Sequence, residues 1–381
     1  MGKIYTALGL MSGTSMDGID ASVIRSDGNE EFTNIIDDYC EFDKKLQERL
    51  VNIRNSISTK ANLIDFSKEL KNLERDITIF HSEVVNNISQ KINENIDLVG
   101  FHGQTIFHDP QNKISKQLGD GNLLSQLTKK TVIYDFRQKD LDNGGQGAPL
   151  TPIFHKLISA KIYEKTKIKF INILNIGGIS NITSIEKIGN FSEKKIEAYD
   201  IGPGNCLIDK WIRKNSNKRF DEDGLIAKSG KVNEIILNQA IENFNLNSYS
   251  KSLDINDFDI SFVRGLSIED GCATITKFTA YLISEGIKFI SKKNNQTNEK
   301  YIICGGGRKN KFLIKNIKEY LEDVKNITLD FIDTYGYDGD FVESNAFGYL
   351  AVRSILKLPL TFPSTTRCIR PTTGGKIVKN F

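Results

Sequence analysis

Several short stretches of this chain set glycine beside groups able to bind anions, donate hydrogen bonds or abstract a proton. In "GLMSGTSMDGIDA", Gly9 to Ala21, an apolar run gives way to Gly13 and Gly18 with Ser12, Thr14 and Ser15 between them. Glycine lets backbone N–H groups approach a ligand closely, and hydroxyls add donors, a combination suited to phosphate oxygens. "DG" is also a hairpin signal, but the loop is longer and denser in donors than a hairpin requires. The pattern G-x-x-x-x-G-K-[ST] does not occur in the sequence, so a nucleotide would not be held by a P-loop.

In "GFHGQTIFHDP", Gly100 to Pro110, His102, Gln104 and Thr105 follow an apolar run that reads as a buried strand. Open α/β sheets bring ligands to such strand ends, and a period of two points His102 and Gln104 the same way. A satisfied structural histidine is the competing reading. His102 and His108 lack a third metal ligand at suitable spacing. In "DFRQKDLDNGGQGAPLTP", Asp135 to Pro152, Arg137 carries a planar fork suited to a carboxylate or sugar hydroxyls. An internal ion pair to Asp135 or Asp140 explains the same spacing equally well. "EAYDIGPGN" sets Asp200 at the mouth of a strand, ahead of Gly202, Pro203, Gly204 and Asn205. By itself such an acid reads as a helix N-cap or turn residue. "NIGGISN", containing Gly177, and "CGGGRKN", containing Gly305, Gly306 and Gly307, are two more strand-to-turn clusters.

The elements that must position these groups come from periodicity. The first half opens with strands "KIYTALGL", "DASVIRS" and "NIIDDYCEF". A long helical stretch over 43–94 follows, then strand "IDLVGFHG", helix "NLLSQLTKK", strand "TVIYDF" and a helix after Pro149. The second half repeats this order. Strands "IKFINILNI", "NITSI" and "KKIEAYDI" precede helices, among them one from Asp270 to Lys292. Strand "KYIICGG", helix "KNKFLIKNIKEYLED", strand "ITLDFI" and a helix from Glu343 to Leu356 complete it. Apolar strands between helices indicate sheets covered on both faces. The expected fold is α/β, with two ribonuclease-H-like (actin-like ATPase) domains flanking a nucleotide cleft; a plain doubly wound fold is the alternative. The expected domains are 1–150, completed by 357–381, and 151–356.

The 381 residues exceed what one core usually serves. Lys and Arg number 51 against 48 Asp and Glu, a balance that gives no footprint for nucleic acid or an anionic membrane. No apolar window reaches the roughly 20 residues of a membrane helix. Five scattered cysteines without a CxxC pair suit a reducing compartment rather than a disulfide framework. These features read as a cytoplasmic enzyme.

Taken in order, "LMSGTSMDGID", "HGQT", "DFRQKD…GGQGAPL", "LNIGGISN", "YDIGPGN", "CGGGRKN" and "RPTTGG" carry a resemblance to the anhydro-N-acetylmuramic acid kinase family, sugar kinases of the actin-like ATPase superfamily. The resemblance spans Ile4 to about Gly375. It implies that Gly13, Thr14, Ser15, Met16, Asp17, Gly18, Ile19 and Asp20 hold ATP phosphates. Gly177, Gly202, Gly204 and Asn205 would stand on the phosphate side, and Gly305, Gly306 and Gly307 against the nucleoside. Asp200 becomes the general base, with a helix N-terminus near Asn205 aimed at anionic oxygens. His102, Gln104, Asp135, Arg137 and Glu343 become substrate contacts, although an acid at a helix start also serves the dipole. The implied partner is a small amino sugar; no nucleic acid and no membrane is expected, and a homodimer stays open. Mg²⁺ would be held through ATP phosphates and water, with no protein metal ligand assigned and Asp17 or Asp20 as nearby candidates.

The sequence departs from the family pattern at "SYSKSLDINDFD", which keeps Lys251 and Ser252 but lacks the Gly-Arg of the family's Pro-Lys-Ser-x-Gly-Arg-like segment. The first strand also lacks the Asp that many superfamily members use to organise metal. The competing functions are an ordinary amino-sugar kinase acting on a free hydroxyl and an actin- or Hsp70-like ATPase module.

Overall fold

The computed structural model describes residues 2–187, 194–244, 249, 252–295 and 297–381. The chain divides into two compact units, Met1–Leu157 with Phe341–Phe381, and Ile158–Asp340. In the first, β1 (Tyr5–Ser12), β2 (Gly18–Ser26) and β3 (Phe32–Glu41) form an antiparallel meander. β4 (Leu98–Asp109) lies parallel to β1 and forms a hairpin with β5 (Ile114–Leu118), while β6 (Thr131–Tyr134) lies parallel to β4. The short strand Lys376–Val378 closes the edge against β6. "ISKQL" is too polar to advertise a strand, so the sequence pattern does not disclose β5.

The helical stretch expected over 43–94 is three helices, Lys44–Ser56, Lys60–Asp65 and Ser67–Lys91. Asp43 caps the first helix and Thr59 starts the second, while the third follows Phe66 without a side-chain cap. The Asp43 carboxylate accepts the Leu46 N–H at 2.9 Å, and Thr59 forms a capping box with Asn62. Leu73 and Ile77 of the longest helix are buried in one core with Leu10, Val99 and Phe101 of the sheet.

The second unit repeats the strand order. β7 (Phe170–Ile176), β8 (Ile179–Lys187) and β9 (Lys194–Pro203) form a meander, β10 (Glu299–Cys304) is parallel to β7, and β11 (Ile327–Phe331) is parallel to β10. Along each sheet the strands run third, second, first, then the two parallel strands. This ribonuclease-H-like order occurring twice bears out the duplicated α/β architecture. Parallel neighbours need crossovers, and the helices Gly121–Thr128 and Lys311–Tyr320 provide the equivalent ones.

The unit boundaries differ from 150/151 and 356/357. The helix Val342–Ile355 packs on β1, β2 and β4, so it belongs to the first unit. Gly9 and Gly100 make this possible: a Cβ at Gly9 would stand 1.9 Å from the Ser344 carbonyl oxygen, and one at Gly100 2.2 Å from that of Phe347. Only bare backbone lets the helix lie so close to the sheet, and Glu343 is held there as a result.

Candidate active site

In the first unit, β1 ends at Ser12 and the chain turns through Gly13–Asp17 into β2. Thr14 and Ser15 are exposed donors, while the Met16 N–H closes the turn on the Gly13 carbonyl at 3.2 Å. Asp17 accepts a 2.5 Å hydrogen bond from Ser15. Met16 and Ile19 point their side chains into the core, at 3% and 0% exposure, and Asp20 already sits in the β-ladder opposite Met11. Gly18 answers to strand packing, since a Cβ there would stand 2.5 Å from the Cys40 carbonyl oxygen. The exposed donors of the expected phosphate loop are therefore concentrated at Gly13 to Asp17.

His102 and Gln104 do not follow simple strand alternation. Gly103 between them has φ +74, and the β1–β4 register shifts at this point. Gln104 is 1% exposed; its Oε1 accepts from Ser12 Oγ at 2.6 Å and its Nε2 donates to the Gly13 carbonyl at 3.0 Å. Gln104 thereby ties β4 to the loop that follows β1. His102 sits over the Phe347 ring, with centroids 4.6 Å apart, and its Nδ1 bonds to the Gly103 carbonyl at 2.7 Å. Nε2 accordingly accepts from Arg137, at 3.3 Å from Nε and 2.9 Å from Nη2. Burial, and then the Arg137 charge, hold His102 well below its ordinary range, so the imidazole is neutral.

Arg137 also donates to the Gly147 carbonyl at 2.7 Å. Asp135, at φ +55, pairs with Lys376 at 2.6 Å, and Asp140 accepts from Thr361, Thr366 and the Gly147 N–H. The carboxylates once offered as alternative partners for Arg137 are thus engaged elsewhere. Burial pushes the Glu343 carboxyl up, opposed by the positive charge of Arg137. His102 and Asp135 also line a cavity of about 360 Å³ with Phe101, Tyr134, Lys116 and Lys376. The neutral imidazole, the guanidinium and the Glu343 carboxyl form a set able to orient a polar ligand with an anionic group.

In the second unit, three glycine turns meet at the ends of β7, β9 and β10. The N–H groups of Gly204 and Asn205 donate to the carbonyls of Gly178 and Gly177 at 2.9 and 2.8 Å. A Cβ on Gly204 would lie 2.2 Å from the Gly177 carbonyl oxygen, and one on Gly305, at φ +80, 2.4 Å from Asn175 Oδ1. Gly202 packs against Leu282. Gly204 thus lets its turn lie against the Gly177 turn. Gly306 is open, with Asn205 Nδ2 3.8 Å from where its Cβ would stand.

Asp200 occupies β9 just before a bulge: it pairs with Asn181, whereas Gly202 pairs with Ser180, which leaves Ile201 as the extra residue. The carboxylate is 9% exposed. Its Oδ2 accepts the Leu253 N–H at 2.8 Å and Ser252 Oγ at 3.3 Å. These partners belong to the segment that departs from the family pattern, where sequence reasoning assigned no function. The retained Ser252 was the available signal; Lys251 lies outside the described residues. Beyond Leu253, Asp254 and Asp257 form a capping box around the single turn Ile255–Asp257, which fixes the backbone that presents this N–H.

Two units with one ribonuclease-H-like strand order define the actin-like ATPase and sugar-kinase fold class. The family model for anhydro-N-acetylmuramic acid kinase matches residues 5–380. A curated protein of that name from Pelagibacter ubique is 50% identical over 385 residues, covering 100% of both chains. Those from Brucella canis and Agrobacterium fabrum are 37% and 36% identical, again over 100% of both chains. The chain belongs to the anhydro-N-acetylmuramic acid kinase family, and it is a kinase. No helix among the described residues is long and apolar enough to cross a membrane.

Proposed function

We propose that this chain couples hydrolytic opening of the 1,6-anhydro ring of 1,6-anhydro-N-acetylmuramic acid to phosphorylation of O6, giving N-acetylmuramic acid 6-phosphate and ADP. The observation that carries the reading is Asp200, a largely buried carboxylate anchored through one oxygen by the Leu253 N–H and Ser252. Asp200 takes a proton from water, whose oxygen bonds to C1 as the C1–O6 bond breaks. The departing O6 takes the γ-phosphoryl group, and the bond to the β-phosphate oxygen breaks to release ADP. An inverting glycosidase needs an acid for its leaving oxygen; here phosphorus captures it, so one base suffices.

His102, Asp135, Arg137 and Glu343 orient the sugar, with Arg137 supplying the cation for its lactyl carboxylate or hydroxyls. Gly13, Thr14 and Ser15 receive ATP phosphates, and Gly305–Gly307 the nucleoside. The hard oxygen of Asp17 suits Mg²⁺. Among the described residues no cluster of three or more His, Cys, Asp or Glu forms a metal cage, so ATP phosphates and water would supply most ligands. Bound Mg²⁺ neutralises charge on the transferring phosphoryl group. The reading places the enzyme in the cytoplasm, in amino-sugar metabolism and peptidoglycan recycling.

The test is turnover of 1,6-anhydro-N-acetylmuramic acid with Mg-ATP in ¹⁸O-labelled water. Label at C1 together with a 6-phosphate is expected. Phosphorylation only of unbridged amino sugars would replace the reading with an ordinary sugar kinase.

A further inference from the structure

Arg308 follows the Gly305–Gly307 turn, and no role is yet attached to it. Its side chain is only 8% exposed, and its donors are divided among four groups. Nε and Nη2 grip both oxygens of Asp333 at 3.0 and 3.1 Å. Nη2 also reaches Asp338 at 3.3 Å, and Nη1 reaches Asp340 at 2.5 Å and the Gly305 carbonyl at 3.2 Å. Lys309 adds a second cation on Asp340.

The 333–340 segment is tied back to the same turn. The Gly305 N–H donates to the Gly339 carbonyl at 2.9 Å, and the Gly339 N–H donates to Asp333. Gly339 lies flat against the guanidinium, because a Cβ there would stand 2.4 Å from Arg308 Nε. Burial alone would lower the Arg308 pKa, yet the hydrogen bonds to Asp333 and Asp340 raise it overall, so the guanidinium is a permanent cation at the centre of three carboxylates. A lysine cannot reproduce this: it is a point charge and cannot fork onto Asp333 while reaching Asp340 and Gly305.

We propose that Arg308 is a positioning residue for nucleotide binding, holding the Gly305–Gly307 turn in shape by latching it to Asp333, Asp338 and Asp340. The inference rests on the reading of Gly305–Gly307 as the nucleoside turn. Its experiment measures steady-state KM for ATP and for 1,6-anhydro-N-acetylmuramic acid in the full-length enzyme and in Arg308→Lys. KM for ATP rises about tenfold, the order expected when a partly buried ion network is opened, while KM for the sugar stays within about twofold. A fall in kcat or thermal stability with both KM values unchanged would mean a merely structural residue and overturn the proposal.

Gly306→Val separates the two readings, because a side chain there enters open space on the turn. A raised KM for ATP in Gly306→Val but not in Arg308→Lys overturns the latch alone. No change in either overturns the nucleoside assignment and the latch with it. If Arg308→Lys does not fold, Asp338→Asn removes only the most exposed carboxylate of the set. A KM for ATP raised about twofold or more then supports the latch, and an unchanged value overturns it.

Discussion

The Leu253 N–H donates to Asp200 Oδ2 at 2.8 Å, so the backbone of an atypical loop orients the one acid offered as a general base. One carboxylate oxygen is thereby fixed by two protein donors, the Leu253 N–H and Ser252 Oγ. The departure from the family's Pro-Lys-Ser-x-Gly-Arg-like pattern does not cost the enzyme this anchor, because a main-chain group provides it and the Asp254–Asp257 capping box holds that main chain.

Asp200→Asn should lower kcat by about 10²- to 10⁴-fold, the usual contribution of a positioned general base. Asparagine can still accept the Leu253 N–H through its amide oxygen, so fold and nucleotide affinity should persist. Rapid-quench turnover together with equilibrium ATP-analogue binding checks this. Retention of more than about a tenth of the parent kcat would remove Asp200 from the base role.

Acid should weaken the first unit before the second. Burial holds His81 at about 4 and His155 at about 3, and burial with Arg137 holds His102 well below 6.5; all three lie in the first unit. An unfolded chain takes up these protons near pH 6.5 and the folded chain does not. The stability is therefore whole above pH 6.5 and is lost as pH falls toward the folded values, by about 2 kcal/mol each for His81 and His155 at pH 5. Glu343, whose carboxyl is raised, works in the opposite sense. The lowered carboxylates Asp330, Asp333 and Asp340 of the second unit give way only at lower pH. Hydrogen exchange at pH 7 and pH 5 should show protection falling first in the first unit; an equal fall in both would contradict the assignment.

Gly204→Ala should force the Gly177 and Gly204 turns apart, since the new methyl would meet the Gly177 carbonyl oxygen at 2.2 Å. Overpacking of this kind costs about 1–3 kcal/mol. A lower denaturation midpoint and a higher KM for ATP are expected together. Unchanged values for both would mean that the turns are not held by this contact.

Period-two and helical patterning in the sequence disclose the two meanders, their parallel strands and the duplication, because burial of apolar faces is a local property of the pattern. The motif order likewise brings the family into view, and with it Asp200, Arg137 and His102. The division of labour within those motifs depends on contacts between residues far apart in the chain. Gln104 bonds to Ser12 and Gly13, some ninety residues earlier in the chain. Gly18 and Gly204 lie against a neighbouring strand and a neighbouring turn. The helix bearing Glu343 follows the second unit's strands in sequence, but joins the first unit because Gly9 and Gly100 leave room for it. Residue type thus determined which chemistry was available, whereas the donor each oxygen met was decided only when strands distant in sequence closed around it. A hydrogen bond is specific to a few tenths of an ångström, and only the folded chain sets distances that finely.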